Sequence, residues 1–167
     1  RSIANAFLEL RKQKSLEKIT IKELSELAFI NKATFYTHYH DIYDLSDQLE
    51  DEFMDSIIHE MPHPESIITA PALATRELSD MLIEKKEITN ILFSGSRQSK
   101  LSEKIYTSLM KYIASNYPNE ERSLKKSIVL SINIQGCFHA DQIFANDENR
   151  DEVTAILGEV GTCLKNN

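Results

Sequence analysis

Ile42, Leu45, Leu49, Phe53, Ile57 and Met61 follow one another at intervals of 3, 4, 4, 4 and 4 residues. That stripe fits one face of a helix and no strand. Asp41 precedes it as an N-cap, and Pro62 and Pro64 end it. Helical spacing also runs through the rest of the chain. Ile3, Phe7 and Leu10 form a short stripe that dissolves in the polar run 11–15. Thr20 and Glu23 make a capping box, with Ile19 and Leu24 as its hydrophobic staple, so a helix starts at Ile21 and buries Leu24, Leu27 and Ala28. Phe29, Ile30 and Asn31 interrupt it, and Asn31 caps a second short helix from Lys32 to about Tyr39. Further helices are expected over 71–86, 87–93, about 98–117, 120–146 and 150–165. With four glycines, four prolines, no strand alternation and no repeat, the chain reads as all-α with about nine helices.

The 167 residues suffice for a real core without staples. Residues 1–45 read as one domain and 46–167 as a second, larger one. No apolar run approaches membrane-spanning length. Cys137 and Cys163 are too few for a disulfide framework, so a reducing cytoplasm is the expected compartment. The net charge of −7 is unevenly placed. Residues 1–40 carry seven basic against four acidic side chains, an excess of +3, and the remainder carries −10. The basic part is the surface able to approach phosphate.

Two short helices joined by a turn of about three residues read as a helix-turn-helix, which offers its second helix to the DNA major groove. Ile3, Phe7, Leu10, Ile21, Leu24, Leu27, Ile30 and Phe35 supply the interior of such a platform. The exposed face of the reading helix is then Lys32, Ala33, Thr34, Tyr36, Thr37 and His38, side chains suited to phosphates and base edges. Thr20 and the free amides after it can hold a further phosphate.

The segments 20–28 (TIKELSELA) and 30–39 (INKATFYTHY) resemble the DNA-binding signature of the TetR family of transcriptional regulators. Asp41, Asp44 and Leu45 match the acidic-led start of the family's long fourth helix. The resemblance covers residues 1 to about 48, and the remainder in layout alone. It implies a double-stranded operator contacted by Thr20, Lys32, Ala33, Thr34, Tyr36, Thr37 and His38. Tyr36 and His38 would mainly hold phosphates, while Lys32 and Thr37 would read bases. It further implies a cytoplasmic homodimer joined through helices at about 120–146 and 150–165, a palindromic operator and a small-molecule effector. The apolar excess over 124–144 agrees with such an interface, and Gly158 and Gly161 would permit close backbone approach there. Two departures stand out. Phe29 replaces the usual turn glycine, which predicts a reshaped turn. Ile42 replaces a lysine that anchors phosphate, which predicts a flatter salt dependence unless His40 or basic residues ahead of Arg1 substitute.

By the same resemblance an effector pocket would be lined by Phe53, Ile57, Met61, Met81, Phe93, Tyr106, Met110, Phe138 and His139. Methionines and aromatics at helical spacing equally suit a plain core. Asn133 and His139 sit in an apolar helix and need partners: a pocket, a water or another subunit. Residues 59–63 spell H-E-x-x-H, but Pro62 breaks the helix that would align His59 with His63, and no third ligand follows. No phosphate-binding glycine loop and no nucleophile–base arrangement is readable, so no cofactor, metal or enzymatic activity is expected. A ligand-responsive repressor is the leading reading. The alternative is a helical ligand-binding or interaction protein that no longer binds DNA, motivated by Phe29, Ile42 and the acidity.

Overall fold

Each of the first four helices begins where a side chain holds its free amides. Ser2 Oγ accepts from the Asn5 amide at 3.2 Å, opening α1 (Ile3–Gln13). Thr20 Oγ1 accepts from the Glu23 amide at 3.2 Å, opening α2 (Ile21–Ala28). Asn31 Oδ1 accepts from the Thr34 amide at 2.8 Å, opening α3 (Lys32–Tyr36). Asp41 Oδ1 accepts from the amides of Tyr43 and Asp44, both at 2.8 Å, opening α4 (Ile42–Glu60). Then come α5 (Ser66–Thr69), α6 (Pro71–Glu84), α7 (Lys86–Leu92), α8 (Leu101–Asn116), α9 (Leu124–Phe144) and α10 (Arg150–Asn166). Two 3-10 turns, Leu16–Lys18 and Gly95–Lys100, complete the series.

This computed structural model describes residues 2–118, 124–146 and 148–166. Among them the chain is all-α, without a strand, and no helix is long and apolar enough to cross a membrane. The 3-10 turns and α5 span too few residues to show a period, so spacing did not reveal them. The reading helix is shorter than expected, ending at Tyr36 rather than near Tyr39. Its last carbonyls are taken early: Thr37 Oγ1 donates to the Thr34 carbonyl at 2.7 Å, and the His38 amide donates to Phe35 in a 3-10 step at 3.0 Å.

The chain divides into two compact units. The first comprises residues 1–53 and 85–101, and the second residues 54–84 and 102–167. In the first, α2 packs on α1 and α3, and α1 packs on α7, around buried Phe7, Leu10, Leu16, Leu24, Phe35 and Leu45. In the second, α6 packs on α5, α9 and α10, and α10 also packs on α9. Gly158 serves that packing, since a Cβ there would stand 3.0 Å from the Ala72 Cβ of α6. A Cβ at Gly161 would meet Asn133 Oδ1 at 3.9 Å. Of the two glycines, Gly158 makes a close approach within the chain, to α6, and Gly161 makes ordinary contact.

Candidate nucleic-acid interface

The α2–turn–α3 segment is built from its hydrogen bonds. Phe29 adopts φ 58°, ψ 41°, the left-handed conformation that ends many helices. Its amide donates to the Glu26 carbonyl at 3.2 Å, and the next amide, of Ile30, donates to Ser25 at 3.0 Å. That pair closes α2 as a Schellman motif. The turn is thus not reshaped by the missing glycine. Phe29 takes the conformation glycine would take, and its ring is 84% exposed.

Phe35 anchors α3 from beneath, fully buried, with Tyr36 and Tyr39 rings each 5.6 Å away, centre to centre. Lys32, Ala33, Tyr36, Thr37 and His38 are exposed. Thr34 differs from this set: it is half-buried, and its hydroxyl donates to Asn31 Oδ1 at 3.1 Å. Thr34 therefore belongs to the cap more than to the exposed face. Thr20 is exposed but likewise occupied as a cap.

The basic excess of residues 1–40 is mostly engaged. Arg11 is buried; its guanidinium donates to Ser94 Oγ at 2.8 Å and to the carbonyls of Lys14 and Ser94 at 3.3 Å, and burial lowers its pKa. Lys14 meets Glu23 at 2.7 Å and Lys12 meets Glu87 at 2.6 Å. Lys22 lies 3.9 Å from Glu26 on the exposed side of α2, and Lys32 is exposed on α3. The same unit holds a buried ion cluster that spacing could not reveal. Arg97, 8% exposed, donates from Nε and one terminal nitrogen to the two carboxylate oxygens of fully buried Glu50, at 2.8 and 2.6 Å. The same guanidinium meets Asp47, and Ser46 Oγ donates to Glu50 at 2.7 Å. These carboxylates, Glu50 foremost, push the Arg97 pKa further up. Ser96 adds a hydrogen bond to Glu17, which lowers that carboxyl's pKa.

The start of α4 is filled by the chain's own acids. Asp41 caps it, and Asp44 Oδ2 accepts from the His40 amide at 2.8 Å, a bond that lowers the Asp44 pKa. Ile42, at the position of the missing lysine, is buried.

In the second unit, Ile57, Met61 and Phe138 are buried, Met81, Tyr106 and Met110 half-buried, and His139 exposed. Phe53 and Phe93 belong to the first unit, where their rings lie 6.5 Å apart, centre to centre. Of these nine, only Phe138 lines a cavity of about 30 Å³ formed with Ile67, Thr75, Leu109 and Asn133. Asn133 is 6% exposed and its Oδ1 has no hydrogen-bond partner. Large apolar side chains of α9 are exposed, namely Leu124, Ile128, Ile132, Ile143 and Phe144, as are Ile156 and Val160 of α10. A groove of about 410 Å³ runs between these two helices. The H-E-x-x-H stretch is split by the end of α4 at Glu60. His59 Nδ1 lies 2.8 Å from the Asp55 carbonyl, and His63 Nδ1 lies 2.6 Å from Glu77 Oε1. Among the described residues no three potential ligands gather around a metal position. Burial raises the Cys137 pKa, and Cys163 is exposed.

No family model matches the chain, and neither a curated protein nor a solved structure shows significant similarity to it.

Proposed function

We propose that this chain is a DNA-binding transcriptional regulator of the TetR kind, a homodimer that grips a palindromic operator and releases it when a small-molecule effector binds. One observation carries the reading. A capped helix, a Schellman turn and a second capped helix hold Lys32, Ala33, Tyr36, Thr37 and His38 outward over a fully buried Phe35. Such a short polar helix, fixed from beneath and free above, suits insertion into a major groove about 12 Å wide. Two-fold pairing through the exposed apolar faces of α9 and α10 would give two heads and half-sites roughly 34–36 Å apart, or a multiple of that. In the second unit the buried, unpartnered Oδ1 of Asn133 supports a polar contact to an effector. Asn133 borders both the small cavity of about 30 Å³ and the groove of about 410 Å³ between α9 and α10.

The acids at the start of α4, together with buried Ile42, favour a second reading, a helical ligand-binding or interaction protein that does not bind DNA. Mobility shift on duplex DNA at two salt concentrations separates the two. A complex at low salt that weakens at high salt is expected, and no complex at either sinks the regulator. Tyr36→Ala should weaken binding to all duplexes alike, whereas Lys32→Ala should change which sequence is preferred.

A further inference from the structure

Phe29 is the one described non-glycine residue with positive φ, and the one exposed large apolar side chain between Thr20 and Lys32. The positive φ closes α2, but the fold does not require a phenylalanine at that position. A ring so open to water adds little to the core, and glycine would relax the backbone. A strained residue that the core does not require points to a use outside it. Its place in the chain narrows that use. Phe29 precedes α3 by three residues, beside the N-terminal end of the reading helix, and that end meets base edges when a helix-turn-helix enters the groove. Of the exposed side chains that follow it, Asn31 is occupied in capping Thr34, Lys32 is a cation and Ala33 a methyl. In the major groove the apolar feature of a base pair is the C5 methyl of thymine, a surface that phenylalanine fits.

We infer that Phe29 is a sequence-reading residue whose ring rests on the C5 methyl of a thymine at the edge of each half-site. This rests on the DNA-binding reading above and adds a base preference to it. The left-handed backbone places the ring there, and the two hydrogen bonds to α2 fix the turn that carries it.

The test starts with a pool of duplexes with randomised centres, enriched on the purified full chain. Each thymine of the enriched duplex is then replaced by deoxyuridine, which keeps the pairing and removes only the methyl. At one position per half-site the wild type should lose about fourfold in affinity, the worth of one buried methyl. Phe29→Gly should bind the two duplexes equally and melt at a temperature no lower than the wild type. Phe29→Asn, which also tolerates the left-handed region, should behave the same way. The inference is overturned if no deoxyuridine position weakens the wild type, or if both variants keep every penalty, since Ala33 or Thr37 would then be reading the methyls. A wild type that enriches no duplex overturns the regulator reading as well. A wild type that binds one sequence with no methyl dependence overturns this inference alone.

Discussion

Phe29 shows how two amide hydrogen bonds can outweigh a side chain's preference. A non-glycine residue in the left-handed region costs about 1–2 kcal/mol, yet the Phe29 and Ile30 amides keep their bonds to α2 and the turn survives. The sequence displayed the anomaly, a phenylalanine at a turn position suited to glycine, but the choice between reshaping and strain depends on hydrogen bonds that residue types do not encode. Lys32, Ala33, Tyr36, Thr37 and His38 were legible because α3 is capped locally and its period is fixed by Phe35. Thr34 was not, because its hydroxyl has a nearer acceptor in Asn31. A second residue sets a pH response. Glu77 bonds His63 and raises its pKa above the ordinary 6.5. The pair therefore contributes fully below the unfolded pKa, and its contribution fades as pH climbs through the folded one. His63→Gln should lower the melting temperature more at about pH 5.5 than at about pH 8.5, and an equal loss at both would show that the ion pair contributes nothing.

Among the helices, the starts of those with strong caps were readable to the residue, because Thr20, Asn31 and Asp41 act over three positions or fewer. The ion cluster was not readable. Arg97 and Glu50 stand 47 residues apart, and Arg11 and Ser94 stand 83 apart, separations over which no local pattern speaks. The cluster ties the Gly95–Lys100 turn to α4, and Arg11 and Ser94 tie α1 to the residue just ahead of that turn. Breaking a buried pair from one side strands the other charge. Arg97→Met should therefore cost about 3–5 kcal/mol, read as a shift in denaturant midpoint. Arg97→Met combined with Glu50→Met removes both charges and should recover most of that loss. If the double variant is no more stable than the single one, burial of Glu50 is not the source of the penalty.

For the whole molecule, the exposed apolar side chains of α9 and α10 bear on how copies of the chain associate. Among the described residues, seven large apolar side chains lie exposed on these two helices. The sequence foretold the excess, since α9 is apolar nearly all round, but not which side the monomer uses for itself. Sedimentation of the wild type should show a dimer, and Ile132→Asp should yield a folded monomer with unchanged helix content. A monomeric wild type at micromolar concentration would remove the pairing on which a palindromic operator depends. The first unit carries a practical corollary. That unit is built from two stretches of chain that are not contiguous, and the Arg11 and Glu50 side chains find their partners at Ser94 and Arg97. Anyone wishing to graft this head onto a foreign sensor must therefore carry residues 85–101 along with the first 53. Cut out as a single consecutive ribbon, it would leave the Glu50 carboxylate without Arg97 and the Arg11 guanidinium without Ser94.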